Sequence, residues 1–257
     1  MVRSLYTAAT GMVNQMGRMD VITNNLANSD TTAYKKEGAT SQSFDSVYTI
    51  KINDSSVHYL HQGIGKMSLG VKVGETYTDY SDGNFKETGN TYDLALGGKG
   101  FFAISYADRN GNESVRYTRD GNFTVNSDGI LMTRDGDFVL GQDNGLIFIP
   151  EGKSISIDET GRITADGEEV ATLQLVDFEN YDYLEKFGEN MYIAINGATN
   201  VPASCKVYQG YLEMSNVNVV SEMVEMISIS RDYESNQKVI QTIDGTLEKS
   251  VQLGRIV

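Results

Sequence analysis

The 257-residue sequence contains no tryptophan, two prolines, two histidines and one cysteine. With Cys205 as its only cysteine, it has no internal disulfide and no cysteine-based metal site. The histidines, His58 and His61, lie close together, but no third or fourth ligand has the spacing of a tetrahedral zinc site. No run reaches the roughly 18 consecutive apolar residues of a transmembrane helix. We therefore expect no metal, no cofactor and no membrane insertion.

Basic residues are scarce, because 35 acidic against 21 basic side chains give a formal net charge of -14. Binding to nucleic-acid phosphates needs clustered Lys and Arg, and the sequence has no basic stripe with interleaved aromatics, so we expect no nucleic-acid partner. Hydrophobic residues at 40% and charged residues at 22% are typical of a soluble protein with one large domain or two modest ones. The amino-terminal segment lacks the apolar core of a Sec-type signal peptide.

Both ends of the sequence have a helical period and contain no proline. Apolar residues recur every seven positions from Leu5 to Leu26 and again from Val219 to Leu247, each with a second column between them. Such narrow seven-residue stripes are typical of coiled coils. We predict that two long terminal helices pair as a coiled coil through an assembly seam. The seam residues are Leu5, Met12, Met16, Met19, Leu26, Val219, Met226, Ile229, Tyr233, Ile240, Ile243 and Leu247.

The middle of the sequence has the pattern of β-hairpins. Asp-Gly turn pairs recur, as at Asp128-Gly129 and Asp166-Gly167, and short β-prone runs such as Phe101–Ile104 lie between them. The predicted fold class is α+β, with long N- and C-terminal α-helices pairing as a coiled coil and a central all-β domain. The predicted segments are a terminal helix at 1–30, an extended linker at 31–69, the β domain at 70–210 and a second terminal helix at 211–257.

Groups that could carry out catalysis are few. Asp120 and Asp135 each precede a glycine, as tight turns require, and no aspartate begins an EF-hand loop. Asp135 and Asp137 could form a carboxylate dyad, yet they flank a turn glycine. Gly97–Gly100 lacks the longer glycine spacing of a phosphate-binding loop, which also has Ser or Thr after its lysine. We therefore expect no catalytic residues and no enzymatic activity.

Several segments carry recognisable motifs, in order along the chain: Asp20–Asn28, Thr31–Lys36, Asp93–Phe102, Tyr117–Phe123 and Gly210–Val220, continuing into Glu222–Ile227 and Arg231–Glu234. Together they resemble the signature of flagellar rod, hook and hook-basal body proteins. The resemblance covers both termini and the middle, which makes it specific. The motif residues are Asn24, Asn25, Leu26, Ala27, Asn28, Ser215, Asn216, Val217 and Asn218. Ala33 departs from the pattern, because the family usually has glycine there.

The resemblance implies a structural subunit of the bacterial flagellar basal-body rod with a role in motility. Family members are exported unfolded through the flagellar type III apparatus without cleavage, and they polymerise helically with the terminal helices inside and the β domain outside. The implied partners are further copies of the chain, other rod and hook axial proteins and the export apparatus. The implied location is the basal body, outside the cytoplasm.

Other interpretations are weighed against this one. The length and the Asp20-Val21-Ile22 opening favour a distal rod member, with a proximal rod or short hook subunit as the alternative. A secreted β-rich adhesin would need a conventional signal peptide, and a β-helical hydrolase or lyase would need a cluster of acids and bases. Within the family interpretation, we expect Asn24, Asn25 and Asn28 to bond neighbouring backbone where the first helix ends.

Overall fold

The computed structural model describes residues 2–51, 62–108 and 113–254. Over these ranges the chain forms two long α-helices and many short β-strands, with a single 3-10 turn at Tyr181–Tyr183. The histidine pair considered above, His58 and His61, lies outside the described residues.

The two helices lie at the ends of the chain, α1 at Val2–Ala27 and α2 at Val219–Gly254. With 26 and 36 residues, they are about 39 and 54 Å long at the usual rise per residue. A turn ends α1, where the Thr31 amide donates to the Asn28 carbonyl. Asn218 caps the start of α2, because its Oδ1 accepts from the Ser221 amide at 3.1 Å.

The strands are short, as frequent turns require. Their bounds are β1 Glu37–Ser43, β2 Val47–Lys51, β3 Gln62–Met67, β4 Val71–Thr78, β5 Phe85–Glu87, β6 Leu94–Lys99, β7 Phe101–Ala107, β8 Glu113–Thr118, β9 Phe123–Val125, β10 Leu131–Thr133, β11 Phe138–Val139, β12 Ile155–Ile157, β13 Arg162–Ala165, β14 Glu168–Thr172, β15 Leu175–Phe178, β16 Leu184–Phe187, β17 Met191–Ala194, β18 Asn200–Pro202, β19 Ser204–Gln209 and β20 Tyr211–Glu213.

The chain divides into two compact units, and the first contains both helices. It comprises residues 1–26, 37–79 and 218–257. Besides the helices it holds two antiparallel two-stranded ladders, β1 with β4 and β2 with β3. The Phe44 amide donates to the Gly70 carbonyl at 3.0 Å between the two ladders, so they follow one another along a single ribbon.

The second unit comprises residues 27–36 and 80–217 and is almost entirely β-structure. Its main sheet has nine strands, in the order β16-β17-β8-β7-β11-β10-β9, with β15 joining β7 to β18. Smaller sheets pair β12-β13-β14, β19-β6 and β20-β5. The hairpins β9–β10 and β13–β14 turn at Asp128-Gly129 and Asp166-Gly167, as the turn pairs predict.

The core of the second unit consists of two apolar clusters, and β7, whose first four residues are all buried, contributes to both. The larger cluster includes Leu94, Leu96, Phe102, Ile104, Phe123, Leu131, Ile147 and Ile163. The smaller cluster is aromatic and includes Phe101, Tyr117, Phe178 and Tyr192. Burial of such side chains stabilises the unit by about 1.5–3 kcal/mol each.

Gly121 shows why a turn glycine is required at one point of this unit. Its carbonyl accepts from the Leu94 amide at 2.9 Å. A Cβ at this position would lie only 1.7 Å from the Leu94 carbonyl oxygen. Glycine is therefore needed at this position because the backbones of Gly121 and Leu94 lie close together, in addition to its role in the turn.

The two terminal helices contact each other, as predicted, but the predicted fold class is wrong in two respects. No coiled coil joins the helices over the described residues, because α1 and α2 meet through polar contacts such as Arg18–Glu225 at 2.8 Å. The seam residues Met16 and Tyr233 are 54% and 36% exposed. The error has a physical reason: seven-residue spacing places apolar residues on one stripe but does not state what covers the stripe. In addition, strands begin at Glu37 and are not confined to the centre of the chain.

The division of the chain into the four predicted segments remains a prediction. Strands β1, β2 and β3 lie in the segment described above as an extended linker. That segment has no clean alternation in its sequence, because a two-stranded ribbon exposes most of its side chains on both faces.

Candidate functional site

Glu213, at the end of β20, is the centre of a buried ionic network in the second unit. Its side chain is fully buried. One carboxylate oxygen accepts from Lys35 Nζ at 2.6 Å and from the Gly83 amide at 2.9 Å, and the other accepts from Arg119 Nε at 3.1 Å. A buried carboxylate is tolerated only when its oxygens are matched by donors in this way.

The two cations use their remaining donors on oxygens nearby. Arg119 Nη2 donates to Asp82 Oδ1 at 3.0 Å and to the Gly98 carbonyl at 2.6 Å. Lys35 Nζ also donates to the Ser81 carbonyl at 2.7 Å. Burial lowers the pKa of Lys35, repulsion from Arg119 lowers it further, and Glu213 opposes both. Two positive and two negative side chains thus balance within one network.

Asn216 extends the network to the backbone on either side. Its Oδ1 accepts from the Lys36 amide at 2.7 Å, and its Nδ2 donates to the Ser81 carbonyl at 3.2 Å. The Glu213 carbonyl accepts from the Ala33 amide at 2.8 Å. We call Lys35, Asp82, Arg119, Glu213 and Asn216 the motif junction, because it joins the segments 31–36, 117–123 and 210–217.

Ala33 lies beside this junction in a conformation that favours glycine. Its φ is +56° and its side chain is buried. The positive φ explains why a glycine stands at this position in the family motif, since glycine adopts it without steric cost.

Replacing Ala33 with valine is expected to destabilise the second unit by about 3 kcal/mol. A β-branched residue is strained at positive φ, and its larger side chain would also overpack the buried site. Ala33→Gly is the matched control. It relieves the strain but loses a buried methyl, so its stability should stay within about 1 kcal/mol of the parent. Urea unfolding measures both variants, and equal stability of the valine and glycine variants would contradict the assignment.

Asn25 is the fully buried member of the motif asparagines and lies in the first unit. Its Nδ2 donates to the Glu37 carbonyl at 2.8 Å, and its Oδ1 accepts from the Glu37 amide at 2.9 Å. The same Nδ2 lies 3.2 Å from Glu222 Oε2 on α2. One amide therefore links the end of α1, the start of β1 and the first turns of α2.

The other motif residues occupy varied positions. Asn28 Oδ1 accepts from Thr31 Oγ1 at 3.2 Å, and Ser215 Oγ accepts from the Val217 amide at 3.2 Å. Leu26, Asn28, Ser215, Asn216 and Val217 are half-buried, and Asn24, Ala27 and Asn218 are exposed.

The predicted seam residues differ in their exposure. Ile229 is buried, while Met16 and Tyr233 are exposed. The remaining seam residues are half-buried, namely Leu5, Met12, Met19, Leu26, Val219, Met226, Ile240, Ile243 and Leu247.

Exposed apolar residues follow helical spacing on both helices. On α2 four of them lie together in the first turns, namely Val220, Met223, Val224 and Ile227, of which Val224 is 63% and Ile227 54% exposed. We call these four residues the α2 face. On α1 the corresponding α1 face consists of Tyr6, Val13 and Met16. At 3.6 residues per turn, each face lies opposite the residues that contact the other helix.

The described residues contain no group of three His, Cys, Asp or Glu side chains that could hold a metal. Asp135 and Asp137 flank the turn between β10 and β11. Burial and the neighbouring Asp135 raise the pKa of Asp137, while Arg116 opposes them. Neither described helix is long and apolar enough to cross a membrane.

Sequence reasoning did not foresee the motif junction. Lys35, Arg119 and Glu213 each lie inside a recognised motif, but they are far apart in sequence and of opposite charge. A usable signal exists at Glu213, which is the charged residue of an otherwise apolar stretch between Leu212 and Met214.

Comparison with known families places matches at three points along the chain. Residues 5–35 match the family described as flagella basal body rod protein. Residues 95–165 match the D1 domain of the flagellar hook protein FlgE/F/G, and residues 208–253 match the carboxy-terminal domain of the flagellar basal body rod FlgEFG proteins. The three matched regions contain Lys35, Arg119 and Glu213 in turn.

Similar proteins match over nearly the whole chain. The flagellar basal-body rod protein FlgG of Buchnera aphidicola subsp. Schizaphis graminum is 34% identical, covering 98% of this chain and 100% of its own. FlgG of Bacillus subtilis is 35% identical, covering 99% of this chain and 100% of its own. FlgF of Caulobacter vibrioides is 32% identical, covering 97% of this chain and 96% of its own. The chain therefore belongs to the flagellar basal-body rod protein family.

Proposed function

We propose that copies of this chain polymerise helically through their terminal helices to build the axial shaft of the flagellum. The chain is a structural subunit of the flagellar basal-body rod, and it assembles with other rod and hook proteins. The proposal goes beyond that statement in three points: copies of the chain polymerise with one another, the chain is exported, and it is not an enzyme.

The exposed faces of the helices support the proposal most directly. The α2 face and the α1 face leave apolar side chains open to water in a single copy, which is typical of surfaces that bind another protein. Burying each Val, Met or Ile on assembly would contribute about 1.5–3 kcal/mol. The seam residue Tyr233, which is also exposed, would add to that surface.

Polymerisation requires a particular type of contact. A heterologous contact that does not close on itself produces a helical filament instead of a ring. The α2 face and the α1 face differ in composition, so contact between them in neighbouring copies would be heterologous. In this scheme the motif junction has a structural role, since it fixes the segments that lead from the β unit to the helices.

Export through the flagellar type III apparatus in an unfolded state completes the proposal. With one cysteine, the chain has no internal disulfide that unfolding would have to break. The apolar residues of the α1 face and the α2 face have no cover in a single copy, so neighbouring subunits should stabilise the helices further.

Deletion of the gene tests the proposed function. We expect cells without it to lose motility and to form basal bodies with an incomplete rod. A wild-type copy should restore both, and the chain should then be found in purified basal bodies. Normal motility and complete basal bodies in the deletion strain would contradict the proposal.

A further inference from the structure

Helices α1 and α2 are antiparallel, and three of the four contacts between them described below share one register. Gly11 lies level with Asn236, where a Cβ on the glycine would be 3.1 Å from Asn236 Nδ2. At the other end, Asn25 contacts Glu222. From Gly11 to Asn25 and from Asn236 to Glu222 each helix advances by the same 14 residues, which amounts to about 21 Å on both.

The contacts between these two ends are also polar. Gln15 Nε2 donates to Asp232 Oδ2 at 3.3 Å in the same register. Arg18 Nη2 reaches Glu225 Oε1 at 2.8 Å, which lies four residues along α2 from Ile229, the residue level with Arg18. Polar pairs specify a register more strictly than apolar stripes, since a slip of one turn leaves donors and acceptors mismatched.

The register determines how the two exposed faces are offset along the axis. Tyr6, Val13 and Met16 lie level with residues near 231–241 of α2, whereas the α2 face occupies 220–227. The centres of the two faces are therefore about twelve residues, or roughly 18 Å, apart along the helix axis. A slip of one helical turn would change this offset by about 5–6 Å.

We propose that Gln15, Arg18, Asn25 and their α2 partners form a register lock that sets this offset and so determines how a second copy fits. The proposal rests on the function proposed above and deepens it. A neighbouring copy can cover both faces only when its own surfaces have the same offset, so a slipped helix pair would not assemble.

Cysteine cross-linking in the purified chain tests the register, in a Cys205→Ser background. Gly11→Cys with Asn236→Cys should form a disulfide at least about tenfold faster than Gly11→Cys with Asp232→Cys, which lies one turn away. Equal rates for the two pairs would overturn the assigned register.

Charge reversal tests whether the polar pairs maintain the register of α1 against α2. Arg18→Glu places like charges together and should slow the 11–236 cross-link about fivefold. Adding Glu225→Arg should restore the rate, and incorporation into basal bodies should fall and recover in parallel. An unchanged cross-link rate in Arg18→Glu would overturn the lock, as would full incorporation of that variant despite a slowed cross-link.

The two proposals fail in distinguishable ways. Absence of the wild-type chain from basal bodies overturns the proposed function, and the assembly role of the lock falls with it. Wild-type incorporation without any dependence on the charge pair overturns the register lock alone.

Discussion

Replacing Glu213 with glutamine is expected to destabilise the second unit by about 3–5 kcal/mol, because the change removes one partner of a buried ionic network. Lys35 and Arg119 would remain buried, and only Asp82, whose side chain is 49% exposed, would balance their charge. Glutamine has the size of glutamate but presents two N–H donors where the network supplies donors already. The loss therefore combines unpaired charge with mismatched hydrogen bonds.

A surface ion pair provides the matched control. Lys206 and Glu159 are 2.7 Å apart, but both side chains are more than half exposed. Glu159→Gln should therefore change stability by less than about 1 kcal/mol. Denaturant-dependent hydrogen exchange in β7 and β8 measures the second unit by itself, which matters because two units need not unfold together. Equal effects of the two substitutions would show that the motif junction stabilises the second unit no more than a surface ion pair does.

Aspartate at both Val224 and Ile227 is expected to abolish incorporation into the rod while leaving the free subunit folded. Both side chains are exposed in the single copy, so the substitutions remove no internal packing, and aspartate costs an exposed helix position only about 0.5 kcal/mol. In an assembled interface the same carboxylates would be buried without partners, which costs several kcal/mol each. Motility and the chain content of purified basal bodies measure the effect.

Ser228→Asp is the control for position. It adds one carboxylate one residue beyond the α2 face, about 90° around the helix axis from the centre of that face. We expect this variant to retain motility. Normal incorporation of the Val224→Asp, Ile227→Asp variant would remove the α2 face from the assembly surface, while its unfolding in the free state would mean that the face is packed within the subunit.

The terminal helices and the hairpins could be predicted from the sequence because their signals are local. Proline-free periodicity locates α1 and α2, and Asp-Gly pairs such as Asp166-Gly167 locate turns. The pairing of α1 with α2 was predicted correctly, but the residues through which the helices contact each other were not. The seven-residue stripe consists largely of half-buried residues such as Met19, whereas the contacts described between the helices are polar and include Arg18.

The motif junction could not be predicted for a different reason. Lys35 and Glu213 are separated by most of the chain, and a single sequence does not show that they meet. The family motifs identified the segments that contain them but not their interaction. Asn25 was singled out as a residue that bonds neighbouring backbone, yet its contact with Glu222 also depends on tertiary structure.

Hydrogen exchange tests the central claim most directly, by comparing the free subunit with the same chain in purified basal bodies. We expect the amides of residues 219–230 in α2 to exchange rapidly in the free subunit, since that part of the helix is mostly exposed, and to slow at least about a hundredfold in the basal body. The amides of β7 should be protected equally in both. Equal protection of α2 in the two states would contradict assembly through the helix faces.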